Sequence, residues 1–224
     1  MGKTTPVRVY LEAGTTRVFA SALDWPGWSR RAKTDEEALD ALATYAPRYA
    51  AVAKRAGVPF SGATNPTFEV VERIPARPKG TFSHVDFGAL GEPAAADADP
   101  LSAAEAKRQT ALLVAAWALL DAVVARAPEE LRKGPRGGGR DRDAVAAHVV
   151  GAETAYARKL GVRHKEPATA DAIAALRADI AQTLATVRAG VPPVANSWLP
   201  RYAARRIAWH VLDHAWEIED RSTA

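Results

Sequence analysis

Hydrophobic and polar positions repeat with two different periods along this chain, and the change of period divides it. In "VRVYLEA", Val7, Val9 and Leu11 fall on one side of a strand. "TRVFASAL" resumes the alternation after a short Ala-Gly-Thr turn, which is the pattern of a β-hairpin. A turn at "DWPGW" (24–28) leads into "SRRA", a short third strand. Thr34 and Glu37 are spaced as a capping box, and Leu39, Leu42, Tyr45, Tyr49, Val52 and Ala53 then recur at helical spacing. Pro47 lies inside that run; it has no N–H to donate and its ring crowds the preceding turn, so it is expected to kink or split the helix. "TFEVVERI" (67–74) returns to the strand period. Residues 1–75 therefore predict a small β-β-β-α-β unit.

Residues 76–100 form a connector rich in Pro, Gly, Ala and Asp. Its middle, "TFSHVDFGAL", holds Phe82, Val85, Phe87 and Leu90, enough apolar surface to pack on a neighbour. From Leu101 onward every periodic segment is helical: roughly 102–127, 143–160, 168–189 and 200–220. The segments are separated by stop-and-turn chemistry in "GPRGGGR", "GVRHKEP" and "GVPPVANSW". Asp143 is the expected cap of the second helix. Four helices joined by shortish loops predict an antiparallel four-helix bundle over residues 101–224. The fold class expected is α+β.

Composition narrows the function. With 224 residues, 48% hydrophobic and 25% charged, the chain is able to bury a real core. Its net charge of +4 is spread evenly: residues 1–95 carry 12 Lys/Arg against 10 Asp/Glu, and the rest 18 against 16. Neither part is the concentrated basic face of a nucleic-acid binder, so nucleic acid is not expected as the principal partner. Cysteine is absent, which excludes disulfides, thiolate ligands and a cysteine nucleophile. Any thiol chemistry must use a thiol from a small molecule. The N-terminus lacks the apolar region of a signal peptide, and the most apolar run, Ala111 to Leu120, ends at Asp121, too short to span a bilayer. The expectation is a cytoplasmic protein with no membrane partner. There is no Walker motif, dinucleotide fingerprint or G-x-S-x-G elbow.

The histidines carry the candidate chemistry. On a wheel of 100° per residue starting at Ile207, the residues Ala208, Val211, Ala215 and Ile218 define the buried arc of the last helix. His214 and His210 fall at its edge, near 340° and 300°, about 6 Å apart along the axis. Such a pair alone fits two core or rim histidines as well as it fits two ligands. His148 changes the weighing. It shares a face with Val145, Ala152 and Tyr156 on the second helix and so also points inward. Three inward imidazoles need partners. A divalent ion held by three neutral imidazoles, with one position open, would satisfy all of them and is the catalytic rather than the structural kind of site.

Glu217 lies on the side of the two late histidines and is the candidate catalytic carboxylate. It can serve as general base, as fourth ligand, or as an acceptor that orients an imidazole; the alternative is a rim carboxylate paired with Arg221. Arg201, Arg205 and Arg206 precede the site. They read either as a guanidinium clamp for a carboxylate, with Arg206 assigned to cofactor binding, or as a solvated basic turn. Asp213 is expected to pair with Arg206 or the Trp209 N–H, Glu153 to face away from His148, and His84 and His164 to be solvated. Trp117, Trp198, Trp209 and Trp216 are core residues or the walls of a cavity. The loop "GPRGGGRDRD" is a flexible connection or a lid.

Two resemblances attach to these residues. The "AHVVGAE" of the second helix and the later H-x-x-x-H make residues 100–221 similar to the DinB/YfiT-like superfamily of metal-binding four-helix bundles. That resemblance implies His148, His210 and His214 as ligands of zinc, nickel or iron. It also implies a thiol-dependent transferase or isomerase using a low-molecular-weight thiol such as mycothiol or bacillithiol on a small-molecule substrate, in a homodimer; a metal-assisted hydrolase is the other reaction type such an ion would serve. The segment "FASALDWPGWSRRAKTDEEALDALATYA" makes residues 5–75 resemble HicB-like domains. This implies the alternative of a non-catalytic binding or antitoxin-like regulatory protein in which the bundle is scaffold.

Overall fold

The structure, a computed structural model, describes residues 5–78, 80–134, 138–188 and 190–222. Its class is α+β. Strands β1 (Val7–Ala13), β2 (Val18–Ala22), β3 (Ser29–Ala32) and β4 (Phe68–Ile74) form one mixed sheet in the order β3-β2-β1-β4. β1, β2 and β3 pair antiparallel, whereas β4 returns parallel to β1. A parallel neighbour needs a crossover, and the helices α1 (Asp35–Thr44) and α2 (Ala46–Arg55) supply it. Five further helices follow: α3 (His84–Phe87), α4 (Ala103–Arg126), α5 (Arg142–Arg158), α6 (Ala170–Thr186) and α7 (Pro200–Ser222).

Local chemistry explains the helix boundaries. Thr34 Oγ1 accepts the Glu37 N–H at 3.1 Å, while the Glu37 carboxylate reaches back to the Lys33 N–H. Pro47 splits the predicted helix: α1 ends at Thr44, and the proline takes an early position in α2, where its missing N–H costs nothing. Ser102 and Glu105 form a reciprocal capping box that starts α4. At the start of α5 the cap position is Asp141, not the expected Asp143. The Asp141 side chain is taken up by the Leu131 N–H and the Lys133 ammonium, and Asp143 pairs with Arg142.

β1 is buried on both faces. Val9 and Leu11 join the main core, and Tyr10 and Glu12 are buried as well because the connector folds across them. Ala94 packs with Tyr10 and Leu23, and the N–H groups of Gly91 and Glu92 donate to the Glu12 carboxylate. Val85 and Leu90 pack on Phe19 and Trp209, whereas Phe82 and Phe87 stay exposed. Of the four large apolar residues in the connector's middle, two are thus used for packing.

One hydrophobic cluster joins Leu11, Trp28 and Tyr49 to Leu113, Leu120, Ile207, Val211 and Trp216. α7 packs on α4 and α5, α4 also on α6 and α2, and α5 on α6. By length and apolar composition alone α4 would reach across a membrane, whereas the sequence suggests a run too short to do so; in the fold it packs on α2, α6 and α7. The β2–β3 turn fits against α7 only because residue 27 is glycine. Gly27 has φ +92°, and a Cβ there would stand 2.6 Å from Leu212 Cδ1 and 3.1 Å from Ala208. Gly27→Ala is expected to cost about 2–4 kcal/mol from the combined backbone strain and overpacking, read from denaturant unfolding.

The first turns of α7 are pinned by a buried ion pair. Both terminal nitrogens of Arg205 bind Asp97, each at 2.5 Å, and neither side chain is exposed beyond 2%. The guanidinium also lies over the Tyr10 ring, at 5.0 Å. This anchor holds the helix that carries two of the three histidines.

Candidate metal centre

α5 lies against α7, and the three histidines meet between them. His210 and His214 share a face of α7 because they are four residues apart; His148 comes from the middle of α5. The ring centroids of His148 stand 5.1 Å from His210 and 5.0 Å from His214, and His210 is 4.7 Å from His214. One nitrogen from each ring lies within 4.8 Å of the others. The structure thus brings together the three residues that the spacing singled out.

The environment of His210 and His148 favours the neutral imidazole. His210 is buried, and burial, followed by the neighbouring His214, Arg206 and His148, pushes its pKa down to about 2. Burial also lowers His148, with smaller contributions from His214 and Arg140. Neutral rings present lone pairs, which is the state that a cation requires. Nδ1 of His210 is buried and has no hydrogen-bond partner. A polar atom in that condition calls for an explanation, and a ligated ion is one.

Glu217 is tied to the cluster through His214. Its Oε2 stands 2.8 Å from His214 Nδ1, and its Oε1 accepts from Arg221 Nη1 at 2.7 Å. The hydrogen bond from His214 comes first in holding its carboxyl below the usual carboxylate range, with Arg221 adding to the effect. With Nδ1 of His214 engaged, Nε2 is the nitrogen left for the centre. Arg221 is itself positioned by the carbonyl of Arg132. The glycine-rich loop reaches this second layer: a Cβ at Gly139, whose φ is +121°, would stand 2.7 Å from Arg221 Nη2. Residues 135–137 of that loop lie outside the described residues.

Removing an acceptor that orients a ligating imidazole typically weakens metal binding 10–100-fold. Glu217→Ala is therefore expected to weaken metal affinity by about that factor while leaving the three ligands in place. Competition with a chromophoric chelator measures the change.

The other candidates separate clearly. Asp213 pairs with Arg30 at 3.0 Å, not with Arg206 or Trp209. Glu153 does not join the histidines; it is buried beneath Trp117 and Arg177, accepting from both. His164 is bonded to Asp179, and His84 is exposed. Among the three arginines, Arg205 is buried against Asp97 and Arg201 is bonded to Glu105 and the carbonyls of Asp99 and Pro100. Arg206 alone lies beside the site, with its guanidinium carbon 5.1 Å from the Tyr156 ring centre and 4.7 Å from that of Trp209. The same two rings flank His210, at 5.6 and 6.1 Å. Trp198 packs on Tyr156 in a tilted arrangement, with ring centres 5.0 Å apart.

Tyr156 is the functional neighbour that the spacing of the histidines undervalues. It lies eight residues after His148 on the same helix face, so the signal for it is local. Trp198 has no such signal, because a loop brings it there. An apolar groove of about 510 Å³ between α4 and α6 is lined by residues such as Trp117, Ile173 and Arg177 and lies away from the histidines. No family model, curated protein or solved structure matches the chain.

Proposed function

We propose that this chain binds one divalent metal ion, of the zinc, nickel or iron kind, through His148, His210 and His214. In this reading it is a metal-dependent enzyme acting on a small molecule: a transferase or isomerase that uses an external low-molecular-weight thiol such as mycothiol or bacillithiol, or a hydrolase. The observation that carries the reading is the convergence of three imidazoles from two helices with one ring already oriented by a carboxylate. The likeness of the histidine pattern to the DinB/YfiT-like superfamily points the same way.

The residues fit such an ion. Imidazole nitrogens bound at 2.0–2.1 Å in a tetrahedral site stand about 3.3 Å from one another. In the structure the three nitrogens lie within 4.8 Å of one another, so closing on an ion asks for a contraction of no more than about 1.5 Å. Three histidines leave a fourth position open, as catalytic sites do. When bound, the ion supplies Lewis acidity, polarising a carbonyl or acidifying a thiol at that position. The chain's residues do the rest. Glu217 fixes the tautomer and orientation of His214, and Arg221 fixes Glu217. Tyr156 and Trp209 wall the inner side of His210 and keep water from its buried ring. Because the chain has no cysteine, a thiol nucleophile has to arrive from outside.

Metal analysis of the reconstituted protein against His148→Ala tests the first part. One ion per chain in the wild type, lost in the variant, is the expected result; stoichiometric metal in both contradicts the site. Screening low-molecular-weight thiols for metal-dependent turnover then separates an enzyme from a scaffold.

A further inference from the structure

Arg206 is a buried cation without a counter-ion. It is 7% exposed, and among the described residues no carboxylate lies within ion-pair distance of its guanidinium. Its Nη1 is shielded from solvent and has no hydrogen-bond acceptor. The faces of Tyr156 and Trp209 receive its positive charge. A ring face, however, offers no acceptor to N–H groups, which point outward in the guanidinium plane; the Tyr156 hydroxyl interacts with Arg206, but Nη1 is left without an acceptor.

Glu12 is a nearby carboxylate, but it makes no ion pair with Arg206. Its oxygens accept from Gly91 and Glu92, and burial raises its pKa to about 7 despite the arginine. Asp213, the obvious candidate from sequence, is committed to Arg30. A second buried donor without an acceptor, the indole N–H of Trp209, belongs to the ring that packs on Arg206. Structural arginines in this fold look different: Arg205, one residue earlier, has both terminal nitrogens on Asp97.

Position completes the argument. Arg206 stands one helical turn before His210, on the stripe of α7 that carries His210, His214 and Glu217, and it shares two aromatic neighbours with His210. We infer that Arg206 is a specificity residue: the anchor of an anion subsite beside the histidine centre, built for a planar carboxylate on the molecule that binds there. The inference rests on the proposed metal reading and names the class of ligand it would take. A carboxylate matches the in-plane fork of a guanidinium slotted between two rings, and a single unpaired cation matches one negative charge. In the apo chain a phosphate dianion would leave charge uncompensated, so acetate and phosphate are compared on the apo protein.

The test uses the full chain, apo and metal-loaded, with metal stoichiometry measured separately. Acetate, mercaptoacetate, 2-mercaptoethanol and inorganic phosphate are titrated by calorimetry at constant ionic strength. Acetate should bind the wild type and, in the apo chain, prevail over phosphate. Arg206→Met should weaken acetate at least tenfold with metal stoichiometry unchanged; Arg206→Lys, which keeps the charge without the fork, should fall between and guards against a folding defect. If the carboxylate belongs to the thiol, mercaptoacetate binds the loaded protein far more tightly than acetate, and its advantage over 2-mercaptoethanol vanishes in Arg206→Met. Equal binding of acetate and mercaptoacetate assigns the carboxylate to the other substrate. Binding of acetate to a chain that takes up no metal would support the subsite and refute the metal reading. Acetate affinity within twofold of wild type in both arginine variants, no acetate binding to the wild type, or preference of the apo chain for phosphate would overturn the inference.

Discussion

His210→Ala is expected to abolish metal binding while leaving the apo protein close to wild-type stability. Two effects oppose each other in the apo chain. The substitution opens a cavity at a buried position, which destabilises, and it removes a buried ring nitrogen with no partner, which relieves a cost. Metal binding has no such compensation, because His210 is the most enclosed of the three imidazoles. Loss of a direct ligand should exceed the roughly 10–100-fold penalty known for orienting residues. At a metal concentration 100 times the dissociation constant, the wild type gains about 2.7 kcal/mol. For a chain of this size that raises the melting temperature by about 5–10 °C. In His210→Ala the increment should vanish at the same metal concentration. A metal-dependent rise of equal size in the variant would show that the ion sits elsewhere.

The second large effect is structural. Asp97→Ala strands the Arg205 guanidinium, which is 1% exposed and pairs with no other carboxylate among the described residues. It also deprives the Ala94 N–H of its acceptor at 2.8 Å. Breaking a buried pair from one side costs about 3–5 kcal/mol, a fall in melting temperature of about 10 °C or more. The double substitution Asp97→Ala with Arg205→Met should recover much of the loss, because the buried charge is then gone as well. Calorimetric melting of the two variants measures both. The same pair locates α7 against the connector, so the single variant should also bind metal less tightly even though no ligand is altered.

What was legible in the sequence was local. The helical period placed α4 to α7 within two or three residues of their ends, and Pro47 marked the split between α1 and α2. The spacing of His210 and His214 put both on one face, and the inward face of α5 placed His148 opposite. Glu217 had several readings; its bonds to His214 and Arg221 follow the i+3 and i+4 geometry of a helix surface, and they turn its carboxylate toward orientation of the ring.

What was not legible depends on pairs far apart in the chain. Arg205 and Arg206 look alike in sequence, yet a rotation of 100° turns one to Asp97 in the connector and the other to the histidines. Asp97 and Arg205 are 108 positions apart, and Arg30 and Asp213 are 183. No periodicity encodes such partners; the fold chooses them. Glu12 is a further case. Strand alternation places it opposite Val9 and Leu11, but only the path of the connector determines that this face is covered and that its carboxylate is met by two backbone N–H groups.

The central claim is that one ion binds between three particular rings, and anomalous X-ray scattering tests it most directly. Crystals of the full chain grown with zinc or nickel should show one dominant anomalous peak at the metal's absorption edge. The peak should lie about 2.0–2.2 Å from a nitrogen of His148, of His210 and of His214. A dominant peak at any other group of side chains, or no peak between α5 and α7 at millimolar metal, would contradict the account.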